Sequence, residues 1–172
     1  MGRWRLNGAR WVQVLAVTAV ALDLLGGDSG RAQVPAEFVA HLWGREEVPT
    51  AETKATGVAT FVVAPDGNSI AFRLVLSRVV NVQMAHIHLA PPGSNGPVVV
   101  WLYPSAPPPR LIPGRFEGEL SSGTITATSL TGPLAGRSLA SLLVEIRNLN
   151  AYVNVHTLAY PGGEIRGQIL LR

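Results

Sequence analysis

The chain contains no cysteine. Disulfides, thiolate metal ligands, cysteine nucleophiles and lipid attachment through a cysteine are therefore excluded. Lysine is almost missing too, Lys54 being the only one, and charged residues make up just 15% of the 172 residues. Such low charge, beside 47% hydrophobic residues, excludes a disordered chain and supplies enough apolar material for a core. The formal charge of +3 overstates the basic character of the domain. Arg3, Arg5, Arg10 and Arg31 precede residue 33, as do Asp23 and Asp28, which leaves ten basic residues against nine acidic ones. A domain that close to neutral lacks the footprint of a nucleic-acid binder.

Long hydrophobic runs are also scarce. Val12–Leu22 is apolar and stops at Asp23, about half the ~20 residues that a membrane span needs. Arg3, Arg5 and Arg10 precede it, and Gly30-Arg31-Ala32 puts small residues at the −3 and −1 positions of a cleavage site. This pattern predicts a signal peptide over 1–32 and a mature domain over 33–172, without a membrane span once the signal is removed. The alternative is an uncleaved N-terminal anchor. The expected location is secreted, periplasmic or cell surface.

What the chain has in abundance is turn residues: 18 glycines and 13 prolines spread between short apolar runs. Such punctuation predicts many short strands. Expected strands are Glu37–Trp43, Thr56–Ala64, Ser69–Ser77, Gln83–Leu89, Val98–Tyr103, Arg115–Leu120, Thr124–Leu130, Ala151–Thr157 and Glu164–Leu171. Pro65-Asp66-Gly67-Asn68 is a hairpin turn between two of them. Pro104–Pro113 carries five prolines and is expected as a surface loop, since proline cannot donate to a ladder. Leu139, Leu142, Leu143 and Ile146 recur at helical spacing, so one short helix is predicted over Ser138–Arg147 with Ser138 as N-cap. The fold class that follows is all-β, a Greek-key β-sandwich with one short helix.

Four histidines are present, and period-2 alternation decides which can meet. Met84, His86 and His88 share one face of their strand, while Ala85, Ile87 and Leu89 share the other, core-like face. Tyr152, Asn154 and His156 share a face of a later strand. Imidazoles at i and i+2 sit about 6–7 Å apart and can converge on one ion. His156 would complete three nitrogen ligands and leave a position open. The alternative is that these histidines are solvated or hydrogen-bond turns. His41 is a candidate extra ligand. Glu164 and Arg166 share a face of the last strand, and are expected as an ion pair or as supports that orient the histidines. Glu46 and Glu47, beside a turn, are expected in solvent. Gly162-Gly163 is turn chemistry, because no helix follows to cradle a phosphate.

Five segments carry a family resemblance: Leu42-Trp43-Gly44-Arg45-Glu46-Glu47-Val48-Pro49, Ala85-His86-Ile87-His88, Asn95-Gly96-Pro97-Val98-Val99, Tyr152-Val153-Asn154-Val155-His156-Thr157 and Pro161-Gly162-Gly163-Glu164-Ile165-Arg166-Gly167-Gln168. In this order they resemble the CHRD domain, the module repeated in chordin, over nearly the whole of 33–172. The resemblance implies an extracellular, immunoglobulin-like or superoxide-dismutase-like sandwich. His86-Ile87-His88 is similar to the copper-binding strand of copper/zinc superoxide dismutase, with His156 as its later copper ligand. Departures stand beside this: Leu89-Ala90-Pro91-Pro92 offers no bridging histidine, and no zinc-site histidine and aspartate or guiding arginine is identifiable. The expectation is therefore a non-catalytic binding module for a metal ion or an extracellular macromolecule. Copper is the expected metal, with zinc as the alternative. The competing readings are a copper-dependent oxidoreductase of the dismutase type and a purely structural or adhesive domain.

Overall fold

Eight strands and one helix follow one another between Glu37 and Leu171. They are β1 (Glu37–Trp43), β2 (Thr56–Val63), β3 (Ile70–Leu89), β4 (Val98–Tyr103), β5 (Ile112–Ile125), α1 (Leu139–Arg147), β6 (Ala151–Thr157), β7 (Ile165–Gln168) and β8 (Leu170–Leu171). This is a computed structural model that describes residues 36–172. The expected signal peptide, 1–32, lies outside the described residues.

The architecture follows from the length of β3. Its first half, from Ile70 to Ser77, pairs with β2 on one side and β5 on the other. Its second half, from Val82 to Leu89, pairs with β6 and β4. Between the halves the strand turns a corner, with left-handed backbone at Arg78 (φ 60°) and Asn81 (φ 54°) and register shifts against β5. Such bulges bend a strand and steepen its twist. The Asn81 side chain holds the corner by accepting a 2.7 Å bond from the Gly114 N–H. The sheet closes because β2, β1, β7, β6 and β3 form a ring of antiparallel neighbours, with β3 returning to β2. The result is an all-β, barrel-like sandwich with crossovers between strands distant in sequence.

Four boundaries differ from expectation. Ser69–Ser77 and Gln83–Leu89 belong to one strand, because the bulged corner keeps β5 paired across the gap. Ser121-Ser122-Gly123 runs inside β5, opposite Leu74, Arg73 and Phe72, and Gly123 leaves room for the Phe72 ring. Strand β5 ends at Ile125, and Ala127–Ser129 form a 3-10 turn in which Ser129 Oγ accepts the Thr126 N–H at 3.1 Å. The last predicted strand divides at Ile169, whose N–H bonds Ala151 O at 3.0 Å.

One core fills the barrel. Phe38, Phe61, Leu74 and Ile87 are buried in it, and α1 adds Leu139, Leu142, Leu143 and Ile146. The helix starts as predicted, but the Ser138 side chain makes no cap bond. All seven residues of β6 are buried. Val153 and Val155 belong to the core cluster, so the polar face of Tyr152, Asn154 and His156 is covered by something other than the core.

Candidate metal centre

That cover is made of two loops. One runs from Gly44 to Ala55 and is tightened by the Ala51 and Glu47 N–H groups, which both donate to Gly44 O at 2.9 and 3.1 Å. The other is Pro91–Pro97, between β3 and β4. They are tied together where Asn95 Nδ2 donates to Val48 O at 2.8 Å. Beneath them lies the face shared by β3, β6 and β7. The register puts His86 opposite Asn154, His88 opposite Tyr152 and Asn154 opposite Arg166.

His86, His88 and His156 come together here, at 2%, 8% and 5% exposure. Each offers a ring nitrogen, and the three atoms lie within 4.8 Å of one another. His86 Nδ1 is 3.2 Å from His156 Nε2. Two nitrogens bound at ~2.05 Å to a tetrahedral ion lie about 3.3 Å apart, so this pair already has ligand spacing. The widest separation is larger, and ligation requires the rings to rotate inward.

Backbone carbonyls set two of the rings. His88 Nδ1 lies 2.9 Å from Gly96 O and His156 Nδ1 lies 3.0 Å from Pro161 O. With Nδ1–H donating to a carbonyl, the lone pair is left on Nε2, the tautomer a metal-ligating histidine uses. His88 Nε2 and His86 Nε2 are buried with no hydrogen-bond partner. A glycine is required at 96, since a Cβ there would collide with Leu89 O. The same glycine's N–H donates to Tyr152 Oη at 3.2 Å.

Burial makes these imidazoles neutral. Desolvation, followed by the neighbouring His156 and His88, lowers the His86 pKa to about 3. Desolvation also lowers His156 to about 4, against the raising effect of Pro161 O, with His88 and Arg166 adding to the fall. His88 is lowered chiefly by burial, opposed by Gly96 O and assisted by Arg166. Three neutral rings at pH 7 present lone pairs rather than charges.

Around the rings the packing is aromatic. Trp101 on β4 meets His86 edge-on, with centroids 4.2 Å apart. Tyr152 stacks on His88 at 5.0 Å, and the Arg166 guanidinium lies over the same Tyr152 ring, 4.1 Å from its centroid.

Arg166 is buried, and its partner is not Glu164. Its Nη1 donates to Ser94 O at 2.8 Å, its Nη2 donates to Asn95 Oδ1, and its Nε sits 3.3 Å from Glu47 Oε2. It therefore pins both covering loops to the sheet. Glu47, expected in solvent, is 4% exposed; a buried guanidinium demands a nearby anion. Burial outweighs Arg166 and pushes the Glu47 carboxyl up to about 7. Glu46 is exposed as expected. Glu164 is buried as well, and accepts a 2.6 Å bond from Thr53 Oγ1, so it supports the Gly44–Ala55 loop rather than a histidine. His41 is exposed on β1 and is not part of the trio.

The residues that sequence reasoning passed over are Glu47, Asn95 and Trp101. The readable signal for Glu47 was the lone arginine on an otherwise buried strand, which needs a counter-charge. Asn95 and Trp101 had no such signal, because their roles come from loop closure and from the β3–β4 register.

The family model for the CHRD domain matches residues 38–169, a span that includes the three histidines, Glu47 and Arg166. The chain belongs to the CHRD domain family. No curated protein matches this CHRD domain, and no solved structure does. The matched span runs from the second residue of β1 to the residue before β8 and includes both covering loops. Among the described residues, no helix is long and apolar enough to cross a membrane.

Proposed function

We propose that this CHRD domain is an exported, non-catalytic binding module that takes a divalent metal ion through His86, His88 and His156. The supporting observation is three buried, neutral imidazoles that each bring a ring nitrogen to within 4.8 Å of the others, two of the rings also carrying a nitrogen without a hydrogen-bond partner. Buried polar atoms ordinarily have partners, and leaving one bare costs about 1–3 kcal/mol. A metal ion would take one lone pair from each of the three rings, His88 Nε2 among them. Imidazole sites rank copper highest among the divalent ions, so Cu²⁺ is the preferred occupant and Zn²⁺ the alternative. Arg166, Glu47 and the carbonyls of Gly96 and Pro161 would hold the rings in place. Cleavage after Ala32 would leave Gln33 as the first residue of the exported form.

Copper titration of the full chain tests this reading. One Cu²⁺ per chain is expected, with quenching of Trp101, whose ring packs on His86. The His86→Ala/His88→Ala double variant should lose both effects, and His41→Ala should keep them. Equal copper affinity in the double variant and the native chain overturns the proposal.

One observation favours a second reading, a purely structural role. The 3.2 Å His86–His156 separation also suits a hydrogen bond between neutral rings. In that case the native chain takes up no more copper than the double variant.

A further inference from the structure

The barrel has a second opening, which borders the histidine site at Trp101. Among the described residues, β4 and β5 each pair with β3 alone, at different halves of its length. They are not paired with each other, and a cleft of about 500 Å³ lies between residues 100–103 of β4 and 121–125 of β5. That volume is in the range of small-molecule sites, about 300–1,000 Å³.

The lining has a distinct chemistry. Phe72, Trp101 and Tyr103 supply aromatic surface. Serine and threonine hydroxyls make up most of the polar side chains, including Ser121 and Thr124. Ser121 Oγ, on a residue that lines the cleft, is buried without a hydrogen-bond partner, and rotation of this side chain toward the cleft would let a ligand hydroxyl satisfy it. Among the described residues, Arg110 is the only charged one of the lining, and no carboxylate lies there to neutralise it. Arg110 is held by its backbone, its N–H donating to Gln83 O at 3.0 Å, and its side chain is exposed.

We infer that this cleft binds a saccharide bearing a carboxylate, a uronic acid unit. Aromatic rings accept the apolar face of a pyranose, as they accept other apolar surface. Hydroxyl side chains both donate and accept, as sugar hydroxyls require. The planar guanidinium of Arg110 takes a carboxylate in a bidentate grip that a neutral sugar cannot use. A phosphorylated or strongly anionic ligand would call for more than one cation, and a purely apolar ligand would leave the hydroxyls and Arg110 without partners. The site shares Trp101 with the histidine cluster, but it rests on Arg110 and the hydroxyl lining and does not depend on the metal reading.

Titration of the full chain with trigalacturonate, followed by calorimetry, tests the inference, with maltotriose as the neutral control. Saturable binding of trigalacturonate is expected, and maltotriose should bind at least tenfold more weakly. Arg110→Gln, which leaves the backbone bond to Gln83 intact, should weaken trigalacturonate by about tenfold or more, given the strength of charge-assisted pairs. Arg110→Lys should recover part of the loss. A second variant, Tyr103→Ala, should weaken both sugars together. Circular dichroism matching the native chain separates a lost contact from a lost fold. No saturation up to ~10 mM trigalacturonate, a Kd weaker than a specific subsite would give, overturns the proposal. So does equal affinity of the native chain and Arg110→Gln, or equal binding of the two sugars.

Discussion

Arg166 holds the largest number of distant groups together. It reaches Ser94 and Asn95 on one loop, Glu47 on the other, and Tyr152 on the sheet. Its removal would leave the Glu47 carboxylate buried without its counter-charge. Breaking a buried pair from one side costs about 3–5 kcal/mol, whereas replacing both partners with neutral groups is close to neutral. Arg166→Met is thus expected to lower stability by that amount in urea denaturation at about pH 9, where the Glu47 carboxyl of the native chain is charged. Adding Glu47→Gln in the same background should restore a substantial part. A double variant no more stable than Arg166→Met would show that the pair is not the source of the cost. The wider lesson at this scale is that a buried charge names its partner only in space. Glu164, two residues away, was the obvious candidate, but Thr53 engages it instead.

Among the elements, the β6–β7 turn is the one whose geometry the site depends on most. It carries Pro161, whose carbonyl fixes His156, and leads directly into Glu164 and Arg166. Gly163 stands at φ +134°, a conformation that side chains rarely adopt. A Cβ there would lie 2.5–2.6 Å from the Asn154 amide and 2.7 Å from Glu47 Oε1. Gly163→Ala combines backbone strain with overpacking, so a loss of about 2–4 kcal/mol is expected. Thermal denaturation measures it, and a midpoint within ~1 °C of the native chain would mean that the turn relaxes without strain. Strand β3 makes the complementary point. Its bulged corner lets one strand pair with β2 and β5 in its first half and with β6 and β4 in its second.

Over the whole molecule, buried neutral histidines tie stability to pH. His86 and His156 titrate near 3 and 4 in the folded state against 6.5 when unfolded, and His88 is lowered as well. From 6.5 down to about 4, the unfolded chain binds protons that the folded chain refuses. The stability these groups contribute is complete above 6.5 and is lost as pH falls through that window. Glu47 acts with the opposite sign. Its folded value of about 7 exceeds the usual 4.5, so its contribution is complete below 4.5 and is lost as pH rises through 7. Three lowered histidines outweigh one raised carboxyl. The metal-free protein, kept with a chelator, should therefore denature at lower urea concentration at pH 5 than at pH 7. A midpoint that holds steady or rises on acidification would mean that the histidines are charged or exposed in the folded state.

The sequence by itself determined the all-β class, the helix, most strand positions and the shared face of His86 and His88. These follow from local periodicity and turn chemistry, which act over a few residues. Alternation also placed His156 on a face with Tyr152 and Asn154, though not beside which strand. Only the tertiary structure decided that β6 lies against the second half of β3, that two loops roof the polar face, and that Arg166 is matched by Glu47. Those outcomes depend on ring closure and on loop ends brought together across long stretches of chain. Local propensity does not encode such distances. Alternating polar and apolar residues read the same whether the polar face meets water or a loop. Covered by loops, that face gathers three uncharged imidazoles in a dry place; in water it would be an ordinary wet strand.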